Sequence, residues 1–104
     1  MPNREKIADA NELADGERKS VIVDELPALL LRVGDDYFCI EDVCTHDGQP
    51  LTDGPVEDCA IECPRHGARF DLKSGKALCM PATQGVRTFD VEVRDDGVYA
   101  DPNS

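Results

Sequence analysis

The sequence predicts a small all-β protein, and three observations support this fold class. Apolar and polar residues alternate along Phe89–Val93, which is typical of a strand with one buried face. Turn-forming residues at Gly34-Asp35-Asp36 and at Asp96-Gly97 separate β-branched or aromatic stretches and predict two hairpins. The segment with helical signals, residues 7–16, is too short for more than one turn.

The elements follow in chain order. Asp9 is suited to cap the short helical turn, which Gly16 would end. The β-branched run Val21-Ile22-Val23 predicts a strand. Leu29, Leu31 and Val33 then alternate up to the first hairpin turn, which leads into Tyr37-Phe38-Cys39-Ile40. The second hairpin returns through Val98-Tyr99-Ala100.

The middle of the chain, from Asp42 to Pro81, differs from the flanks. Glycine and proline are frequent there, and short strands are expected only at Ala60–Glu62 and Ala68–Asp71. Apolar residues are sparse in this segment. We therefore expect it to need a bound metal centre, in addition to hydrophobic burial, to hold its shape.

Composition limits the classes of function. The chain has 104 residues, which predicts a single domain over 1–104. No stretch approaches the roughly 20 apolar residues of a membrane span, and the first residues lack the apolar core of a signal peptide, so a cytoplasmic protein is expected. A formal net charge of −11 argues against nucleic-acid binding, which requires a basic surface.

The acidic residues are unevenly distributed. Seven lie between Glu41 and Glu62, and that segment contains no lysine or arginine. The segment is either a solvated surface or a docking surface for a basic partner, and the sequence leaves both interpretations open.

Cysteine and histidine form the pattern that carries chemistry. Five cysteines, an odd number, favour reduced thiols over a disulfide framework. The two histidines each follow a cysteine closely, in Cys44-Thr45-His46 and in Cys63-Pro64-Arg65-His66. A glycine after each histidine permits a positive φ. Four such ligands suit a zinc ion, but zinc fingers place their two cysteines together, whereas here each loop holds one cysteine and one histidine.

The double motif resembles that of Rieske iron–sulfur proteins. The resemblance rests on Cys44-Thr45-His46-Asp47-Gly48 and on Cys63-Pro64-Arg65-His66-Gly67-Ala68-Arg69-Phe70-Asp71. It implies the Rieske fold, with a cluster-binding subdomain at about 42–81 on a base formed by the flanks. It also implies one [2Fe–2S] cluster, with Cys44 and Cys63 on one iron and His46 and His66 on the other. Pro81 resembles the proline of the loop that covers the cluster.

At several positions the chain resembles the low-potential branch of that family. Gln49 and Arg65 stand where the respiratory branch has a disulfide, and Ala68 and Phe70 stand where it has hydroxyl donors to the cluster sulfurs. Three further cysteines, Cys39, Cys59 and Cys79, have no neighbour at ligand spacing. A small buried apolar side chain is the expected role of Cys39.

The resemblance implies an electron carrier and not an enzyme. An oxygenase would need a second iron held by two further histidines, which the chain lacks. The implied function is a monomeric ferredoxin that passes electrons from an NAD(P)H-dependent flavoprotein reductase to a terminal non-haem iron oxygenase, such as an aromatic-ring dioxygenase. Two alternatives remain: the small subunit of an NAD(P)H nitrite reductase, and a structural zinc module.

Overall fold

The fold consists of antiparallel strands. A computed structural model describes residues 4–45, 48, 50–64, 67–78 and 84–102. These residues form ten strands and no helix, which confirms the predicted all-β fold class. The strands are β1 (Glu5–Asp9), β2 (Arg18–Val23), β3 (Leu26–Val33), β4 (Asp36–Glu41), β5 (Val56–Glu57), β6 (Ala60–Glu62), β7 (Arg69–Asp71), β8 (Thr88–Phe89), β9 (Val91–Arg94) and β10 (Gly97–Ala100).

The strands pair into three sheets, with orders β1-β10-β9, β2-β3-β4-β8 and β5-β6-β7. Both predicted hairpins are confirmed. In the first, Val33 lies opposite Asp36. In the second, Arg94 lies opposite Gly97, so the turn falls one residue earlier than predicted. Gly97 itself opens β10, where a Cβ would lie 2.7 Å from the carbonyl oxygen of Ala8 in β1.

The central strand β3 separates two apolar cores. Four consecutive residues, Ala28–Leu31, are buried because both faces of this strand are covered. One face belongs to the base core: Ile7, Ala8, Leu13, Val23, Ala28, Leu30, Cys39, Phe89, Val98 and Ala100. The other face belongs to the loop core: Leu29, Leu31, Ile40, Cys44, Leu51, Ile61, Cys63, Ala68, Phe70, Leu72 and Val86.

The predicted helical turn after Asp9 is wrong. Residues 5–9 form β1, whose Ile7 and Ala8 are buried in the base core and which pairs with β10. Asp9 instead begins a tight turn, since its carbonyl accepts the Glu12 N–H at 3.2 Å. Asn11 has a φ of +62°, which is incompatible with a right-handed helix. Pairing with a strand at the far end of the chain therefore overrides the local signal.

The single strand predicted over Phe89–Val93 is also wrong. Phe89 belongs to β8, which pairs with β4, whereas Val91 opens β9, which pairs with β10. The chain passes from one sheet to another at Asp90. The alternation of apolar and polar residues cannot reveal this change of sheet, because it continues unbroken from Phe89 to Val93.

The middle of the chain has more apolar burial than its composition suggests. Leu51, Ile61, Phe70 and Leu72 are all fully or almost fully buried in the loop core. The segment therefore has substantial hydrophobic burial, and its expected need for a bound metal centre as well stays a prediction. The sheet β5-β6-β7 lies within the predicted subdomain of 42–81, but its core is shared with β3 and β4, and the subdomain boundary stays a prediction.

Candidate metal centre

The two predicted cysteine ligands lie in one apolar environment. Cys44 follows β4 and Cys63 follows β6, and both side chains are fully buried in the loop core. Neither is in a disulfide. His46 and His66 lie outside the described residues, so their ligand roles stay predictions.

Each cysteine starts a turn of the same kind. The carbonyl of Cys44 accepts the N–H of Gly48 at 2.7 Å, and the carbonyl of Cys63 accepts the N–H of Gly67 at 3.1 Å. Gly48 has a φ of +76° and Gly67 a φ of +77°, which confirms the predicted use of glycine at both positions. The two loops therefore share a five-residue turn, although their histidines occupy different places within it.

The two ends of the second loop are paired through their backbones. Cys63 donates its N–H to the carbonyl of Ala68 at 2.6 Å, and Glu62 pairs with Arg69 next to it. This loop is thus the tip of the β6–β7 hairpin. Its ends are fixed by the same ladder that forms the sheet.

The two ends of the first loop are connected by a side chain. The carboxylate of Asp42 accepts the N–H of Leu51 at 2.7 Å and the hydroxyl of Thr52 at 2.5 Å. Arg18 donates to the carbonyls of Thr52 and Gly54, at 2.8 and 2.6 Å. Sequence reasoning missed this role, since it counted Asp42 only as one acidic residue of a run and gave Arg18 no part in the site.

A third segment meets the first loop. Thr45, the residue between Cys44 and His46 in sequence, donates its hydroxyl to the carbonyl of Gln84 at 2.5 Å. Farther along, Val86 donates its N–H to the carbonyl of Gly75 at 2.8 Å, where a Cβ on Gly75 would lie 2.1 Å from the Val86 carbonyl oxygen. The predicted covering residue, Pro81, lies outside the described residues.

The described part of the site fits the thiolate half of an iron–sulfur centre. Two thiols that are not oxidised to a disulfide share an apolar core, and thiolate sulfur is the ligand that iron–sulfur clusters select. A thiolate in such a place is unfavourable unless a cation compensates its charge, so a bound metal would stabilise both. Ala68 and Phe70 are fully buried in the same core and bring no hydroxyl to it.

The other two described cysteines lie outside the two loops, although Cys59 packs against the loop core from the β5–β6 turn. Cys39 is in the base core, on the opposite face of the central sheet, and its expected role as a buried apolar residue is confirmed. Burial raises the pKa of Cys39 to about 12, so its thiol stays protonated at neutral pH. Cys59 lies in the β5–β6 turn, half-buried, and burial raises its pKa while nearby Lys73 opposes that rise. Cys79 lies outside the described residues.

The acidic run is divided by the fold. Asp42 turns its carboxylate inward to the first loop, whereas Asp53, Glu57 and Asp58 are exposed. The run is therefore only in part a charged surface.

Within the described residues, no helix is long and apolar enough to cross a membrane.

The family of the chain follows from a comparison with known protein families. The model of the Rieske [2Fe–2S] domain matches residues 3–90, which include both ligand loops. The chain belongs to the Rieske family. It therefore carries the Rieske-type [2Fe–2S] cluster of that family.

Individual relatives of this Rieske protein agree with the family. The ferredoxin subunit of 3-phenylpropionate/cinnamic acid dioxygenase from Shigella boydii serotype 4 is 39% identical over 87 residues, 82% of each chain. The ferredoxin of carbazole 1,9a-dioxygenase from Nocardioides aromaticivorans IC177 has a TM-score of 0.90 at 28% identity, over 96% of this chain and 98% of that one. A ferredoxin–oxygenase complex of carbazole 1,9a-dioxygenase includes a chain with a TM-score of 0.88 at 32% identity, over 98% and 95%.

A more distant structure bears on the alternative function. A protein described as a nitrite reductase small subunit has a TM-score of 0.82 but only 20% identity, over 94% of this chain and 97% of that one. At this identity the likeness shows a shared fold and nothing about function.

Proposed function

We propose that this Rieske protein is the ferredoxin of a multicomponent aromatic-ring dioxygenase. It takes one electron at a time from an NAD(P)H-dependent flavoprotein reductase and passes it to a terminal non-haem iron oxygenase. The observation that carries the proposal is the 39% identity to dioxygenase ferredoxin subunits over 82% of both chains. Those relatives are electron-transfer components, so the chain is not itself the catalytic subunit.

We assign the cluster ligands as Cys44 and Cys63 on one iron and His46 and His66 on the other. The burial of both cysteines in one core and the matching turns at Gly48 and Gly67 support the cysteine half. The histidine half rests on the sequence motif. When bound, the cluster accepts and returns a single electron.

The ligand types determine the charge of the site. Two thiolates neutralise a core of two ferric ions and two sulfides, and neutral imidazoles add no charge. Four thiolates would leave two surplus negative charges, which would disfavour a further electron. Mixed ligation therefore raises the reduction potential above that of an all-cysteine centre. The apolar side chains of the loop core exclude water from the two thiolates, and the absence of hydroxyls at Ala68 and Phe70 keeps the potential in the lower part of the Rieske range.

The same proposal covers the partners, the oligomeric state and the location of the protein. A solved complex of oxygenase and ferredoxin in carbazole 1,9a-dioxygenase contains a chain that is 32% identical to this one, which supports the oxygenase as acceptor. The flavoprotein reductase, a monomeric carrier and a cytoplasmic location complete the proposal. A carrier that meets two partners in turn should bind each of them weakly and release it quickly.

Electron paramagnetic resonance of the dithionite-reduced protein tests the ligand assignment. A rhombic signal with an average g value below that of all-cysteine ferredoxins is expected. His46→Cys and His66→Cys should each abolish this signal, because a third thiolate changes the ligand field at the iron assigned to the histidines. An unchanged signal in either variant would contradict the assignment, and a colourless, zinc-containing protein would favour the structural zinc module.

Gel filtration and turnover test the ferredoxin role. Mixed with a dioxygenase reductase and oxygenase, the protein should support NAD(P)H-dependent oxygenation of the aromatic substrate and elute as a separate species. Co-elution with a nitrite reductase large subunit as a stable complex, without support of an oxygenase, would instead identify it as the small subunit of that enzyme.

A further inference from the structure

The two ligand loops are held at their necks in different ways, and this difference is the basis of the inference. The second loop is the tip of a hairpin, closed by the backbone bond from Cys63 to Ala68 and by the pairing of Glu62 with Arg69. The first loop leaves β4 and re-enters the core at Leu51, and its described residues form no strand pair with one another. Among the described residues, the carboxylate of Asp42 connects the start of this loop to its end at Leu51 and Thr52.

We infer that Asp42 is a positioning residue for the cluster, which acts by clamping the first ligand loop. This inference rests on the proposed ligand set. The N–H of Asp42 is bound to the carbonyl of Pro27 at 3.0 Å, which fixes the residue to the start of β3. Its carboxylate then binds the N–H of Leu51 and the hydroxyl of Thr52, which lie nine and ten residues along the chain.

A second layer supports the clamp from outside. Arg18 of β2 donates to the carbonyls of Thr52 and Gly54 and so holds the far side of the loop against the central sheet. Gly54 lies against the carbonyl of Glu62, where a Cβ would approach to 2.0 Å, and Glu62 directly precedes Cys63. The far side of the first loop is thus set directly against the base of the second.

The clamp holds the cysteine ligand of the first loop in place. Cys44 lies two residues after Asp42, inside the segment that the carboxylate closes, and Leu51 at the other end is fully buried. Hydrogen bonds to a charged acceptor are stronger than neutral ones, and two of them converge on this carboxylate. Loss of the carboxylate would free the first loop and leave the second, which has its own backbone closure.

Hydrogen exchange and electron paramagnetic resonance on cluster-loaded protein test the inference. In Asp42→Ala, amides in 43–52 should exchange at least about tenfold faster than in the unaltered protein, which corresponds to losing one or more charge-assisted bonds. Amides in 63–70 should change less than about twofold. The signal of the reduced cluster should broaden or shift, and EDTA should remove iron faster.

Two further variants separate positioning from charge. Asp42→Asn loses the charge but keeps an acceptor for Leu51 and gains a donor for Thr52, so it should restore most of the exchange protection and the signal. Asp53→Ala removes an exposed carboxylate from the same loop region and is the matched control, expected to resemble the unaltered protein. If Asp42→Ala does not fold, Thr52→Val removes one of the two contacts and should produce a smaller effect confined to 43–52.

Three results would overturn the inference. They are equal behaviour of Asp42→Ala and Asp53→Ala, equal disturbance by Asp42→Ala and Asp42→Asn, and faster exchange in both loops alike. Failure of the ligand assignment would look different, because the unaltered protein would then lack the Rieske signal while exchange at 43–52 would still report on the clamp.

Discussion

A single residue type makes both ligand turns possible. The loops have different spacings, with the histidine two residues after Cys44 but three after Cys63. Both nevertheless close between a cysteine carbonyl and the N–H four residues later, at a glycine with a φ near +77°. A side chain there would be strained by the left-handed conformation. The position of glycine relative to cysteine, more than to histidine, is therefore what the two loops have in common.

Ala68 and Phe70 offer a test of how buried residues set the potential. The double variant Ala68→Ser and Phe70→Tyr adds two hydroxyls to the core that holds Cys44 and Cys63. Donors stabilise the more negative reduced state, so the reduction potential should rise by something on the order of tens of millivolts, within the Rieske range of roughly −150 to +300 mV. Protein-film voltammetry measures it. Leu72→Met, a change in the same core without a donor, should leave the potential unchanged; equal potentials for all three proteins would show that neither hydroxyl faces the cluster.

At the scale of elements, two hairpins use strained turns. Asp24 and Glu25 connect β2 to β3 with φ values of +52° and +63°, and Asp58 and Cys59 connect β5 to β6 with +53° and +60°. Positive φ at both central positions is the type I′ geometry that suits a twisted hairpin. Glycine is the residue that adopts it without strain, and neither turn contains one.

Replacing the exposed Glu25 with glycine should therefore stabilise the protein. Relief of the left-handed conformation outweighs the greater freedom of glycine in the unfolded chain, for a net gain of about 0.5–1 kcal/mol in the free energy of unfolding. For a chain of this size the melting temperature should rise by a few degrees. Calorimetry of the cluster-loaded protein measures it. Glu25→Ala removes the same carboxylate but keeps the strain, so equal melting temperatures for the two variants would contradict the explanation.

Sequence predicted the strands whose signals are local and missed those that depend on partners. The β3–β4 hairpin, β6 and β7 were predictable from alternation and turn residues. The strand at β1 was not, because only pairing with β10 turns Ile7 and Ala8 into core residues. The β2–β3 turn was not, because Glu25 stands at the second central position, where a type I′ turn usually has glycine. At the site, the motif predicted the cysteines and glycines, but no spacing rule connects Asp42 to Leu51 or Thr45 to Gln84.

The buried residues of the middle segment change what is expected of the protein without its cluster. Leu51, Ile61, Phe70 and Leu72 form part of the loop core, so the sheet β5-β6-β7 has apolar support of its own. Cys44→Ser should give colourless protein in which peptides covering β6 and β7 keep part of their hydrogen-exchange protection, while those covering 44–48 and 63–67 lose it. Cys59→Ser, outside the predicted ligand set, should stay coloured. Loss of protection along the whole of 42–78 would show that the metal centre supplies most of the cohesion.

At the scale of the whole molecule, the central sheet separates the two ends by function. The loop core on one face contains Cys44 and Cys63, the two proposed cysteine ligands, and the base core on the other face contains residues of the β1-β10-β9 sheet and Cys39. The exposed acids Asp53, Glu57 and Asp58 lie in the segment between Leu51 and Ile61, which both belong to the loop core, whereas Asp95 lies in the β9–β10 turn of the β1-β10-β9 sheet. The net charge of the chain is −11, and acidic residues lie on both sides of the β2-β3-β4-β8 sheet. Either group of acids could guide docking to a basic partner.

Electron transfer to the oxygenase should depend on salt if the exposed acids Asp53, Glu57 and Asp58 steer the encounter. Raising the ionic strength from about 10 mM to 150 mM shortens the Debye length from roughly 30 Å to 8 Å, which weakens attraction to a basic partner before contact. The second-order rate measured by stopped flow should therefore fall. Glu57→Lys should lower the rate at low salt and have little effect at high salt. Glu57 is preferred to Asp58 for this change, because the positive φ of Asp58 would add backbone strain.

Asp95→Lys is the matched control, because it makes the same charge change in an exposed turn of the β1-β10-β9 sheet. If the acidic segment steers the encounter, the rate of this variant at low salt should stay close to that of the unaltered protein. Equal loss of rate in both variants would mean that the total charge of the molecule, and not the acidic segment, attracts the partner. A rate that is flat or rises with salt in all three proteins would mean that the acids are a solvated surface, and that apolar contacts near the ligand loops control recognition.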